Sequence, residues 1–168
     1  MRGATIGATF NFYRDGQGAA ARRHRLRAYL EARANAPLLL VVEAAGHRGA
    51  SVSGIPLTSE RQLTGRGPAE ATATIVRRTL AELALEEQVL CWNVVPTHPH
   101  LAGQAASNRP PSRAEIDASR GFLEELARNR RVIPVGRLAE RALGVAGVRH
   151  PSHGGARAFR DGLRRLSA

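Results

Sequence analysis

Three apolar stretches of this chain each run into a polar loop that carries Gly or Pro. Short apolar runs bounded by such loops are typical of buried strands in an α/β sheet. The residue after each stretch can take part in chemistry: Glu43 after residues 38–42, Asn93 after residues 89–92, and His150 after residues 147–149. Ligands of open α/β sheets bind outside the carboxyl ends of the strands. The sequence therefore predicts that a carboxylate, an amide and an imidazole meet in one pocket.

Helical patterns separate the predicted strands. Ser112, with Glu115 three residues later, has the pattern of a capping box. The predicted helices cover about residues 20–34, 68–83, 112–126, 136–143 and 155–166, and a further strand is predicted at residues 131–135. This alternation favours a parallel sheet with right-handed crossovers. We predict one domain over residues 1–168, a three-layer α/β/α fold with a central four-stranded parallel sheet, in which residues 1–19 form an N-terminal lead-in.

The balance of charge constrains the partner. The chain has 25 basic and 14 acidic residues, a net charge of +11, and every basic residue is Arg. Codon bias in a GC-rich genome accounts for Arg in place of Lys, but not for the excess of basic over acidic residues. A charge of this size favours a polyanionic partner, with nucleic acid before a membrane surface.

Cysteine content and hydropathy indicate the compartment. Cys91 is the single cysteine, which excludes an internal disulfide framework and a cysteine-based zinc finger. The longest apolar run is too short to span a membrane, and the N-terminus lacks the apolar core of a signal peptide. We expect a soluble monomer of a reducing bacterial cytoplasm, associated with the nucleoid, with DNA as its partner and no membrane contact.

Each of the three strand-end side chains has a chemical and a structural interpretation. Glu43 could act as a general base or stabilise developing positive charge, or it could cap a strand end. Asn93 could read the edge of a nucleobase with its donor and acceptor, or it could form an Asx turn. His150 could donate a hydrogen bond to a developing oxyanion, or it could be a structural residue of a Pro-containing turn.

Other polar residues suggest phosphate or metal contacts. Arg109 and the arginines of residues 149–160 are candidate phosphate contacts, although a single Arg is more often a solvated surface charge. Four histidines raise a metal site as an alternative: His98, His100, His150 and His153. However, His98-Pro99-His100 lacks the i, i+4 spacing of a helical metal motif, and no clear carboxylate accompanies it. We therefore predict no metal and no cofactor.

Four segments, in order along the chain, resemble the motifs of the uracil-DNA glycosylase superfamily. They are Val42-Glu43-Ala44-Ala45-Gly46, Gly54-Ile55-Pro56-Leu57, Asn93-Val94-Val95-Pro96 with the later Asn108-Arg109-Pro110 and Glu115, and His150-Pro151-Ser152. The first segment is similar to the Gly-Glu-Ala-Pro-Gly motif of the branch that usually carries an iron–sulfur cluster. The resemblance covers roughly residues 38–165.

The resemblance implies a DNA glycosylase that flips uracil, or a related deaminated base, out of DNA and releases it by hydrolysis in base excision repair. Glu43 would stabilise the sugar cation or orient the water, and His150 would stabilise the negative charge on uracil O2. The residues that the resemblance assigns to base binding are Ala44, Gly46, Leu57 and Asn93. Those expected to contact DNA are His47, Arg48, Arg109, Ser152, His153 and Arg157.

The chain also departs from the family pattern. Val42 and Ala45 replace the Gly and Pro of the first motif, Leu57 stands in place of a base-stacking Phe, and Gly154-Gly155 stand in place of an apolar wedge. The cluster cysteines are absent, so no iron–sulfur centre is expected. Two alternatives stay open: a catalytically weak or inactive nucleic-acid binder of the same fold, and an unrelated α/β hydrolase or metal enzyme that uses the histidines.

Overall fold

A parallel sheet of three strands lies at the centre of the computed structural model, which describes residues 1–167. The elements in chain order are β1 (Thr9–Phe10), α1 (Ala19–Ala32), β2 (Leu38–Ala44), α2 (Ala50–Ser53), α3 (Glu60–Thr64), α4 (Ala71–Glu82), β3 (Val89–Val95), β4 (His98–Pro99), α5 (Arg113–Ala127), β5 (Arg131–Pro134), α6 (Arg137–Leu143) and α7 (Ala156–Ser167). The central sheet has the strand order β3-β2-β5, and β1 pairs with β4 in a separate antiparallel ladder. The predicted α/β class with a parallel sheet is confirmed.

The predicted fourth strand at residues 147–149 is wrong, because only one of its residues joins the sheet. Val148 forms a single parallel bridge to Val135, and its N–H donates to Pro134 O over 2.8 Å. The preceding Gly147 packs so closely on β5 that a Cβ there would lie 2.0 Å from Pro134 O. Pro151 follows within three residues and has no N–H to extend a ladder. The central sheet therefore has three strands and a one-residue extension.

β2 and β3 both continue beyond their predicted ends. β2 ends at Ala44 and β3 at Val95, so Glu43 and Asn93 lie within strands and do not follow them. In the parallel register Val42 lies beside Asn93, and Ala44 lies beside Val95. The hydrogen-bonded ladder therefore holds Glu43 and Asn93 in place at the same edge of the sheet.

Helices cover both faces of the sheet because the side chains of β2 alternate between two buried clusters. Leu39 belongs to a cluster that includes Leu123 of α5. Leu40 belongs to a second cluster, which includes Val76 of α4 and Phe159 of α7. This arrangement gives the expected helix layer on either side of a central sheet.

The N-terminal lead-in packs on the domain through two aromatic residues. Phe12 and Tyr13 are fully buried, whereas Phe10 is 36% exposed. The hydroxyl of Tyr13 donates to Gly54 O over 3.0 Å. Through this bond the lead-in supports the long segment 43–67, which contains the short helices α2 and α3.

An acidic side chain lies at the N-terminus of both α4 and α5, but only the one in α5 takes part in helix capping. The predicted capping box of α5 is confirmed, since Ser112 Oγ accepts from the N–H of Glu115, and Glu115 accepts from the N–H of Ser112. α4 begins at Ala71, later than predicted from Pro68, and its N-cap residue Glu70 makes no side-chain capping bond.

No helix of residues 1–167 is long and apolar enough to cross a membrane.

Candidate active site

A cavity of about 400 Å³ opens at the carboxyl ends of β2 and β3. Its lining residues are Val42, Glu43, Ala44, Ala45, Gly46, Ala50, Leu57, Glu70, Thr72, Asn93, Pro99, Asn108, Arg109, His150 and His153. This volume lies within the range of small-molecule sites. Glu43, Asn93 and His150 meet in this cavity, as the strand ends predicted.

Asn93 presents a buried polar atom to the cavity. Asn93 is only 3% exposed, and its carboxamide oxygen Oδ1 has no hydrogen-bond partner within residues 1–167. Leaving such an atom buried and unpaired costs about 1–3 kcal/mol. A ligand that donates a hydrogen bond inside the cavity would remove this penalty. Asn93 does not form the alternative Asx turn, because the residue lies within β3.

Glu43 lines the same cavity and is partly buried. Burial raises the pKa of its carboxyl, while the nearby Arg141 guanidinium of α6 acts in the opposite direction. A carboxylate held between partial burial and a cation can stabilise positive charge or accept a proton.

His150 is held by the residue two positions later. Its Nδ1 lies 2.7 Å from Ser152 Oγ and accepts from the N–H of Ser152 over 3.2 Å. A ring nitrogen that accepts from an amide carries no proton, so the neutral imidazole carries its proton on Nε2. Burial, followed by the charges of His153 and Arg149, lowers the pKa of His150. The lowered pKa favours the neutral ring, which has one N–H available as a donor.

The turn after His150 depends on its second glycine. A Cβ on Gly155 would lie 2.1 Å from His150 O, so no larger residue fits while the backbone keeps this path. His153 has a positive φ of 51° and is exposed, and its Nδ1 lies 3.0 Å from Ser152 Oγ. Ser152, expected to contact DNA, thus joins the two imidazoles.

Glu70 was missed by the sequence analysis. Its carboxyl lines the cavity, and burial raises its pKa. The available signal was an acidic residue shortly before a predicted helix, which is ordinary at helix N-termini and points to no particular contact.

Arg109 is engaged within the protein. Its guanidinium donates four hydrogen bonds: two to Glu115, at 2.6 and 2.8 Å, one to His100 O and one to Pro110 O. The pair holds the pKa of Glu115 at about 2, chiefly through the hydrogen bonds from Arg109. Arg109 therefore has a structural role in the loop that lines the cavity, and its contact with a phosphate stays a prediction.

The histidines proposed as metal ligands have other uses. Both ring nitrogens of His98 lie within hydrogen-bond distance of carbonyl oxygens, 2.9 Å from Ala45 O and 3.1 Å from Ala105 O. Within residues 1–167 no group of three or more His, Cys, Asp or Glu side chains is arranged to hold a metal ion. An iron–sulfur cluster does not fit the chain either, because Cys91 is the one cysteine and its residue is buried in β3.

Three further residues were expected to contact DNA. His47 is partly buried, and Asn108 accepts from its backbone N–H over 3.1 Å and lies 3.2 Å from its ring Nδ1. Arg48 is exposed next to it. The side chain of Arg157 on α7 is 89% exposed and lies 3.7 Å from Asp161. Arg48 and Arg157 are thus available to a partner.

Leu57 occupies an unusual backbone conformation beside the cavity. It has a φ of 51°, a region that residues with side chains seldom adopt, and it is only 5% exposed. Ser53 supports the turn, since its hydroxyl contacts both Ile55 O and Thr58 O, at 3.2 and 2.6 Å. The cavity lining of the described residues contains no Phe, Tyr or Trp, and Leu57 contributes an aliphatic side chain to it.

Comparison with known proteins identifies the family. The profile of the Uracil DNA glycosylase superfamily matches residues 30–164, and the chain therefore belongs to this superfamily. Its fold is similar to the crystal structure of wild-type SMUG2 from Pedobacter heparinus, with a TM-score of 0.72 and 15% sequence identity over 98% of this chain and 90% of that chain. No curated protein sequence matches significantly. At 15% identity the structural likeness shows the fold alone.

Proposed function

We propose that this chain is a monofunctional DNA glycosylase, active as a monomer, that hydrolyses the N-glycosidic bond of deoxyuridine or of a nucleotide with a related deaminated base. The observation that carries the proposal is the buried, unpartnered Oδ1 of Asn93 in a cavity that also holds Glu43 and His150. Because the chain has no Lys, a lysine Schiff-base lyase step is not available to it. The likeness of residues 42–46 to the first motif of the Gly-Glu-Ala-Pro-Gly branch supports an assignment to that branch.

Asn93 supplies the specificity in this proposal. Uracil presents an N3–H donor next to the O4 acceptor, and a carboxamide complements both atoms. Asn93 Oδ1 would accept from N3–H and thereby gain the partner that it lacks. Cytosine presents an N3 acceptor next to an amine donor, so the same carboxamide would face it with opposed groups.

His150 stabilises the leaving group. When the glycosidic bond breaks, its electron pair moves onto the base and negative charge develops on O2. A neutral imidazole that donates from Nε2 can bind this charge while it develops, and the Nδ1 contacts with Ser152 fix the tautomer required. Glu43 stabilises the complementary positive charge on the sugar or orients the attacking water.

The charge of the chain supports a DNA partner. A net charge of +11 attracts a polyanion, and exposed side chains near the cavity, Arg48 and His153 among them, are suitable contacts for phosphates. The base would enter the cavity by leaving the duplex stack or from a single strand.

One observation favours a second candidate, a catalytically weak or inactive nucleic-acid binder. Leu57 offers no aromatic surface to the base, and the described lining of the cavity contains no Phe, Tyr or Trp in its place. Loss of base–aromatic stacking would remove about 1–3 kcal/mol of substrate binding.

An assay of base release from defined oligonucleotides distinguishes an active glycosylase from an inactive nucleic-acid binder. We expect the parent to convert an oligonucleotide with a single uracil, hypoxanthine, xanthine or mismatched thymine into an abasic product. His150→Ala should lower the single-turnover rate by about 10²-fold or more with little change in binding. His24→Ala, at an exposed position of α1 outside the cavity, is the matched control and should behave like the parent. Salt-sensitive binding without release from any substrate would favour the inactive binder.

A further inference from the structure

Glu70 is an N-cap residue whose side chain does not cap its helix. It precedes Ala71, the first residue of α4, in an extended conformation, and its carboxyl forms no bond with the N–H groups of the first turn. A carboxylate at this position normally accepts from one of those N–H groups. The side chain of Glu70 instead reaches the loop after β2, which also lines the cavity.

Two glycines make room for this carboxyl. A Cβ on Gly49 would lie 1.9 Å from Glu70 Oε2, and a Cβ on Gly46 would lie 3.3 Å from Glu70 Oε1. Gly46 was assigned to base binding from the resemblance. In the structure both positions also accommodate Glu70, so the loop and the carboxyl fit each other closely.

The carboxyl of Glu70 has no hydrogen-bonding or ion-pair partner among the described residues. Within residues 1–167, Thr74 donates to the backbone carbonyl of Glu70 and not to its carboxyl, and the carboxyl makes no helix-capping bond. Burial is the one cause of its raised pKa, with no contribution from a hydrogen bond or a charge. The carboxyl faces the same cavity as Asn93, whose Oδ1 is buried and also unpartnered. Two polar groups in one cavity can therefore accept hydrogen bonds from a polar ligand or from water.

We propose that Glu70 is a second catalytic carboxylate, which binds the attacking water and accepts its proton. The inference rests on the proposed glycosylase function and divides the chemistry between two residues. Burial raises the pKa of Glu43, but the Arg141 cation opposes that rise, which suits the Glu43 carboxylate to stabilising the sugar cation. Glu70 has no such cation, and burial alone raises its pKa, which brings a carboxyl closer to the basicity that a general base needs at neutral pH.

The step balances without a metal or a further reactant. The bond from C1′ of the sugar to the base breaks, and its electron pair leaves with the base as an anion that His150 stabilises. The oxygen of water forms a bond to C1′ and passes one proton to the Glu70 carboxylate. The protonated Glu70 then returns this proton to solvent or to the departing base, and the sugar is left with a hydroxyl at C1′.

The first test is Glu70→Gln, which keeps the shape of the side chain and removes its basicity. We expect single-turnover base release to fall by about 10²-fold or more, while the Kd for substrate DNA changes little. Glu86→Gln is the matched control, because Glu86 is exposed and lies outside the cavity. If Glu70→Gln stays within about threefold of the parent, Glu70 is not the base.

The second test separates catalysis from structural support. In Glu70→Ala, azide can enter the vacated space and attack C1′ without losing a proton, so added azide should restore base release and yield a 1′-azido sugar detectable by mass spectrometry. A rate that falls and is not restored by azide overturns the assignment of the base. A parent that releases no base from any substrate shows that the proposed function has failed, and the inference fails with it.

Loss of the proton acceptor should also be visible in the pH profile. The parent rate should rise with pH as Glu70 ionises, and this limb should disappear in Glu70→Gln. The other titratable or charged groups that line the cavity are Glu43, Arg109, His150 and His153. Glu43 and His150 must also be deprotonated, so the rise in rate that their ionisation causes should remain in Glu70→Gln. A pH–rate profile identical to that of the parent would argue against Glu70 as the general base.

Discussion

Replacing Glu115 with Gln should destabilise the protein by about 3 kcal/mol at pH 7. Glu115 is 2% exposed, and its carboxylate accepts two hydrogen bonds from Arg109 and one from the N–H of Ser112. These contacts lower its pKa from 4.5 to about 2. Such a fall corresponds to about 3 kcal/mol of preference for the ionised form in the folded state, the same order as the loss when a buried ion pair is broken.

The contribution of Glu115 has a defined pH window. Because its folded pKa is depressed, the contribution is present above about pH 4.5 and is lost as the pH falls toward about 2. The assay is urea denaturation at pH 7 and at pH 3, followed by the fluorescence of Trp92, the single tryptophan, which is buried in β3. The difference between Glu115→Gln and the parent should be smaller at pH 3.

Asp117→Asn is the control for the Glu115 variant. Asp117 lies on the same helix and pairs with Arg113 and Arg120, but its side chain is 46% exposed. Exposed pairs contribute about 0–1 kcal/mol, so this variant should differ little from the parent. If Glu115→Gln is no less stable than Asp117→Asn, or if its deficit is unchanged at pH 3, the role given to the buried pair is wrong.

Three other predictions concern the site and its partner. Ser152→Ala keeps the backbone N–H that contacts His150 but removes the hydroxyl. The rate of base release should fall by about fivefold, which corresponds to about 1 kcal/mol. An unchanged single-turnover rate would contradict the role of Ser152 in positioning His150. Asn93→Asp loses the donor to O4 and should release uracil at least about fivefold more slowly, with some release of cytosine; undiminished uracil release would exclude Asn93 as the base reader. The logarithm of DNA affinity should fall with the logarithm of salt concentration by about 0.7–0.9 for each phosphate neutralised, and a flat salt titration would exclude a phosphate-dominated interface.

Local sequence signals predicted much of the fold. The capping box of Ser112 and Glu115 lies within four residues, so its pattern needs no tertiary information. The apolar stretches predicted β2 and β3, and the rule that parallel strands end at one edge brought Glu43 and Asn93 together. The fourth strand failed because apolar character alone does not show that Gly147 would contact Pro134 closely or that Pro151 would end the pairing.

The rest of the site depends on contacts between residues that are distant in sequence. Glu70 was missed because its place in the cavity depends on the space above Gly46 and Gly49, which only the folded loop creates. Arg109 was predicted to contact a phosphate because an Arg in a polar loop is suited to that contact, and the sequence did not show that it also pairs with Glu115. The sequence also marked Glu115 as a capping residue, but gave no sign that its carboxylate accepts from Arg109 as well.

The cavity holds groups that reduce the stability of the free protein. Burial raises the pKa of both Glu43 and Glu70, so each group's contribution to stability is lost as the pH rises through its folded pKa. Asn93 Oδ1 is buried without a partner, unlike Glu115, whose buried carboxylate is fully paired. Two other buried atoms of residues 1–167 lack partners, Arg33 Nε and Trp92 Nε1, but neither side chain lines the cavity.

These penalties indicate the kind of ligand that the cavity stabilises. A ligand that donates a hydrogen bond to Asn93 and brings a developing positive charge toward Glu43 removes both penalties at once, whereas an apolar ligand of equal size removes neither. Interactions that improve as charge develops are those that lower an activation barrier, because they favour the transition state over the bound substrate. The destabilising groups of the cavity are therefore features that the proposed cleavage of a bond between a sugar and a base would require.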